Sequence, residues 1–176
     1  MARQIVLFGG TFDPVHFGHL IVARSIAETC GFERITLVPS ATPPPKSAAS
    51  ASAADRLAML RLAIEGEGLF DLCQDELSRQ GTSYTFDTLT AMRARHGEAA
   101  DLHWVVGADM LADLPNWYRA DDVIALARIV VACRPPWQER AEPIISALAE
   151  RFGPAVAERL AQATVQTPLI DISSTA

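Results

Sequence analysis

The chain has 176 residues, 49% of them hydrophobic, with 15 basic and 21 acidic side chains and a formal charge of −6; that length carries one sizeable core and is short for two, so a single domain over residues 1–176 is expected. The acidic balance excludes a general nucleic-acid binder, which needs a basic surface to displace phosphate counterions. No apolar run approaches the roughly 20 residues of a membrane span and no secretory leader opens the chain, so the expectation is a cytoplasmic protein with no membrane partner.

Ile5 to Phe8 is an apolar, β-branched run without polar alternation, as in a strand buried on both faces. It is followed by Gly9-Gly10-Thr11-Phe12-Asp13-Pro14-Val15-His16-Phe17-Gly18-His19, which leads into a predicted helix from His19 to Cys30 stopped by Gly31. The segment is neither a Walker loop nor a GxGxxG fingerprint. Its glycines would let backbone N–H groups approach a phosphate chain, and the helix start adds a partial positive charge. His16 and His19, three apart, share one helix face. They suit donation to phosphate oxygens, but a satisfied structural pair or a metal pair reads equally well from spacing alone.

Ile35 to Val38 reads as the second strand. Beyond it come Pro43-Pro44-Pro45 and Lys46, the only lysine in the chain, either a point charge for a phosphate or a solvated loop residue. An Ala/Ser-rich loop over Ser47 to Ala54 leads to a helix over Asp55 to Ile64 and a weaker strand over Leu69 to Leu77. A helix over Phe86 to Arg95 follows, stopped near Gly97, with Ser83 or Thr85 as its N-cap. Leu102 to Val106 is the next strand, ending in Gly107-Ala108-Asp109, where the aspartate suits either a ligand or the next helix's cap. Pro115 makes a turn of Trp117 and Tyr118, an aromatic pair fit for stacking or for plain surface. Ile129 to Ala132 is a strand with Arg134 beyond it, and helices are predicted over Ile144 to Phe152 and Ala155 to Ala163. Cys30, Cys73 and Cys133, odd in number and without a CxxC pair, read as buried free thiols and indicate no metal site.

Strand and helix alternating in this way predict an α/β fold, a Rossmann-like, doubly wound, mostly parallel sheet with helices on both faces. Such sheets place ligands at the carboxyl ends of their strands. The segments that follow strands are therefore the ones to search for chemistry.

The sequence GGTFDPVHFGH resembles the signature of the nucleotidyltransferases with a (H/T)xGH motif, and its GGTFDP form resembles the nicotinate-nucleotide adenylyltransferase family among them. Further matches follow in order: Pro43 to Lys46, Ser83-Tyr84-Thr85 with Thr88-Leu89, Gly107-Ala108-Asp109, Leu114 to Tyr118, Arg134-Pro135 and Ile172-Ser173-Ser174-Thr175. The resemblance implies two partners, ATP and nicotinate mononucleotide, with Mg2+ accompanying the ATP. A phosphate oxygen of the mononucleotide attacks the α-phosphorus in line, giving nicotinate adenine dinucleotide and pyrophosphate without a covalent enzyme intermediate.

The same resemblance assigns catalysis to His16 and His19. It assigns ATP and its phosphates to Gly9, Gly10, Thr11, Phe12, Gly18, Lys46, Gly107, Asp109, Arg134, Ser173, Ser174 and Thr175. The nicotinate ring and carboxylate fall to Tyr84, Thr85, Trp117 and Tyr118. Two departures stand out. Pro45 occupies a position where the family often has histidine, and the family's ISSTxIR motif breaks off at Ala176 without its arginine and helix, as in a trimmed chain. If Ala176 is the natural end, ATP binding and turnover should be weakened. The competing readings are a phosphopantetheine or nicotinamide-mononucleotide adenylyltransferase and a catalytically inactive nucleotide-binding domain.

Overall fold

The computed structural model describes residues 3–41, 51–79 and 81–168. Its strands are β1 (Gln4–Gly10), β2 (Ile35–Pro39), β3 (Phe70–Leu72), β4 (Asp101–Gly107), β5 (Arg128–Cys133) and β6 (Thr164–Gln166). The helices are α1 (Phe17–Cys30), α2 (Ala53–Ala63), α3 (Thr85–His96), α4 (Ala120–Leu126), α5 (Gln138–Phe152) and α6 (Pro154–Gln162), with a 3-10 helix over Ala108–Asn116.

The strands form one sheet in the order β3-β2-β1-β4-β5-β6, and each neighbouring pair is parallel. This is the doubly wound order expected of a Rossmann-like fold. Successive strand residues point to opposite faces, so each central strand serves two cores. Leu7, Trp104 and Val131 pack with Leu89, Leu111, Ile145 and Leu160 on one face. Val6, Val105 and Val130 pack with Ala23, Ile26 and Leu60, from α1 and α2, on the other.

The chain winds outward from β1 to β3, then returns to lay β4 beside β1, in the register Leu7 to Trp104 and Phe8 to Val105. Loops leaving β1 and β4 therefore diverge to opposite sides at the carboxyl edge, the place where sheets of this order bind ligands. No helix among the described residues is long and apolar enough to cross a membrane.

Several boundaries differ from the sequence reading, for local reasons. The Ser52 hydroxyl accepts the Asp55 N–H at 3.1 Å, so α2 starts at Ala53. Helix α5 starts at Gln138, six residues before the predicted Ile144, and runs through Pro143, whose ring breaks the periodic pattern. Pro115 itself lies inside the 3-10 helix, and the turn expected at Trp117 and Tyr118 follows where that helix ends. The strand predicted over Leu69 to Leu77 shrinks to three residues, and the three-residue β6 was too short to read.

Candidate active site

At the end of β1, Gly9 lies against the Trp104 indole, and a Cβ there would overlap Cζ2 and Cη2 of that ring. Phe12 turns the loop with a φ of 50°, a left-handed conformation costly for a bulky residue. Burial holds it there. Its side chain is 2% exposed, edge-on to Phe8 at 5.9 Å and to the His19 ring at 5.0 Å.

His16 is the N-cap of α1, and its backbone N–H donates to Nδ1 of His19 at 3.3 Å. The two rings stack with centroids 3.9 Å apart and planes at 29°. Because Nδ1 of His19 accepts, the proton of the neutral ring sits on Nε2. Burial, then the neighbouring His16 and Arg134, lower the His19 pKa to about 4, so the ring is neutral near pH 7. His16 is shifted down too, first by burial and then by Arg134. Its Nδ1 is buried without a hydrogen-bond partner among the described residues. Gly18, between the two histidines, is buried in the first turn.

Arg134, exposed just past β5, is close enough to shift both histidines. Thus β1, α1 and β5 bring two imidazoles and a guanidinium to one edge of the sheet. Gly107 ends β4 across the switch point, where a Cβ would overlap the Asp109 carboxylate. Asp109 itself is exposed, and no side chain caps the 3-10 helix.

The start of α3 departs from the expected Ser83 or Thr85 cap. Tyr84 is the N-cap, without a side-chain cap bond, and Thr85 is the first helical residue. The Tyr84 carbonyl takes the N–H groups of Asp87 and Thr88 at 3.1 and 3.3 Å. Among the described residues, the N–H groups of Thr85 and Phe86 have no acceptor. The Tyr84 ring packs on Tyr118 with centroids 4.6 Å apart, and Tyr118 stands edge-on to Phe86 at 6.0 Å. Trp117 is half-buried against the β4-side core. Two open donors and a cluster of aromatic faces thus share the first turn of α3.

The sequence reading missed Arg56. It is 1% exposed on α2 and donates from Nη1 to the Thr11 carbonyl at 2.6 Å and from Nη2 to the Ser40 carbonyl at 2.7 Å. One buried guanidinium therefore joins the loop after β1 to the segment after β2. Its signal was an arginine in helical phase with the buried Leu60, on the face α2 turns to the core. Asp13 was also unassigned; its Oδ1 accepts the Ala51 N–H at 3.1 Å. Of the cysteines, all free, Cys73 and Cys133 are buried as expected, whereas Cys30 in the last turn of α1 is exposed. Lys46, Ser173, Ser174 and Thr175 lie outside the described residues.

A cytidylyltransferase-like family model matches residues 7–176. A Gloeobacter violaceus protein assigned as a nicotinate-nucleotide adenylyltransferase is 44% identical over 154 residues, 87% of this chain and 74% of that protein. A Laribacter hongkongensis protein with the same assignment is 47% identical over 131 residues, 74% of this chain and 60% of its own length. The fold is similar to that of the Plasmodium falciparum nicotinic acid mononucleotide adenylyltransferase complexed with NaAD, with a TM-score of 0.71 at 15% identity, covering 97% of this chain and 77% of that one. A family model spanning nearly the whole chain, and a relative of such identity matched over most of its length, place this chain in the nicotinate-nucleotide adenylyltransferase family of nucleotidyltransferases.

Proposed function

We propose that this nucleotidyltransferase acts as a single cytoplasmic domain that joins the AMP part of ATP to nicotinate mononucleotide, in the biosynthesis of NAD. An oxygen of the mononucleotide phosphate forms the new bond to the α-phosphorus, the bond from that phosphorus to the β-bridging oxygen breaks, and pyrophosphate leaves with its electron pair. The observation that carries the reading is the stacked His16–His19 pair at the start of α1, with rings 3.9 Å apart. Its neutral His19 presents a fixed Nε2–H donor. A donor already aimed costs no reorganisation as charge builds on the phosphate oxygens. Gly9, Gly10, Thr11, Phe12 and Gly18 shape the turn that admits the phosphates, Arg134 adds positive charge, and Gly107 and Asp109 border the adenosine side. The family resemblance assigns the remaining phosphate contacts to Lys46, Ser173, Ser174 and Thr175.

No group of three His, Cys, Asp or Glu side chains among the described residues is placed to hold an ion. Mg2+ would be carried mainly by triphosphate oxygens and water. There it would neutralise phosphate charge. The open Thr85 and Phe86 N–H groups would receive the nicotinate carboxylate, with the ring against Tyr84, Trp117 or Tyr118.

The test measures pyrophosphate released from ATP and Mg2+ with nicotinate mononucleotide, nicotinamide mononucleotide or phosphopantetheine as acceptor. Preference for the nicotinate acceptor is expected. Preference for either other acceptor would overturn the substrate, and silence with all three would leave a nucleotide-binding domain.

A further inference from the structure

We propose that Glu76 is a positioning residue for the acceptor: by holding Thr88, with Ser83 beside it, it keeps the first turn of α3 aligned and uncapped for the pyridine carboxylate. This rests on the nicotinate reading of that turn. Glu76 follows β3 and is 4% exposed, a place where a carboxylate is unfavourable unless it is hydrogen-bonded. Two hydroxyls meet it. Thr88, fully buried one turn into α3, donates from Oγ1 to Oε1 of Glu76 at 2.6 Å. Ser83, just before α3, lies beside the same carboxylate and favours its charged form, and its Oγ accepts the backbone N–H of Ala41 at 3.0 Å.

One carboxylate therefore holds the chain through Thr88, just beyond Tyr84 and Thr85, and Ser83, on their other side, ties the turn to the segment after β2. The arrangement also settles what Ser83 does not do. A serine beside a helix start ordinarily turns its oxygen onto the helix's own N–H groups. Here the hydroxyl accepts from Ala41 and faces Glu76, Tyr84 supplies no cap, and the Thr85 and Phe86 donors stay open. Donors of that kind bond more strongly to a carboxylate than to an amide, so they bear on the choice between nicotinate and nicotinamide. Arg79 and Asp87 are the charged neighbours of Glu76, and the two face each other at 4.0 Å.

The experiment compares Ser83→Ala, Thr88→Val and Glu76→Gln in the full chain. It reads kcat, KM for each substrate, the rate ratio of nicotinate to nicotinamide mononucleotide, and Tm. Freed to move, the turn should bind the acceptor about tenfold more weakly in Ser83→Ala. Its preference for nicotinate should fall by a similar factor, while KM for ATP stays within about twofold. Glu76→Gln keeps one acceptor oxygen and should show a smaller shift of the same kind. If it does not fold, the near-isosteric Thr88→Val carries the same expectation. A fall in kcat in proportion to folded protein, with acceptor KM and preference unchanged, would reduce Glu76 to a stability role and overturn the proposal. Wild-type enzyme silent with nicotinate mononucleotide would instead overturn the acceptor reading on which it rests.

Discussion

His19 illustrates how one side chain is prepared by its neighbours. The His16 N–H takes its Nδ1, Phe12 covers one edge, and Arg134 disfavours a second positive charge. What remains is a neutral ring with one aimed donor. His19→Asn keeps an oxygen near the Nδ1 position for the His16 N–H but loses the Nε2 donor. Its kcat should fall about a hundredfold to a thousandfold with little change in either KM; a loss under about tenfold would remove His19 from catalysis. Stability should respond to pH as well. With a folded pKa of about 4 against 6.5 unfolded, protons bind the unfolded chain first, so this stability is complete above pH 6.5 and is lost as pH falls towards 4. The full effect is about 3 kcal/mol. In urea titrations at pH 7.5 and 4.5, wild type should lose more stability between the two than His19→Asn; equal losses would contradict the depressed pKa.

At the scale of elements, the central strands were legible because burial on both faces leaves an unbroken apolar run, as in Leu102 to Val106. Helix α1 was legible because Gly31 ends it in the left-handed conformation. The rest depended on contacts between segments distant in sequence, which periodicity cannot report. Of the site, the loop after β1 and both histidines could be read, whereas Arg56 looked like an ordinary helix arginine and Glu76 like an ordinary acid. Spacing left open whether the histidine pair is structural, metal-binding or phosphate-binding, and the preference for phosphate came from the family resemblance.

Arg56 shows what such links do. Its fork joins Thr11 and Ser40, and so holds together the loops leaving β1 and β2. Arg56→Met leaves those carbonyls without their donor and should cost about 2 to 4 kcal/mol in urea unfolding, with a raised KM for ATP. Arg56→Lys, a point charge without the fork, should recover only part; full recovery would mean that charge alone matters.

Over the whole molecule, the sheet order decides where substrates meet. The outward run β1-β2-β3 and the return to β4 leave the histidine turn, Gly107 and Arg134 at one edge of the sheet, so ATP bound there as proposed would touch both of its halves. A ligand that binds only the folded chain stabilises it by about 2.7 kcal/mol at a hundredfold excess over Kd, roughly 5 to 10 °C in Tm for a chain of this size. The same geometry makes a separable prediction for the ion. If Mg2+ is held by the triphosphate and not by a protein cage, adding it to the protein alone should leave Tm unchanged, whereas ATP with Mg2+ should raise Tm more than ATP with a chelator. Four melting curves suffice, and a shift from Mg2+ without nucleotide would mean that the chain itself supplies the ligands.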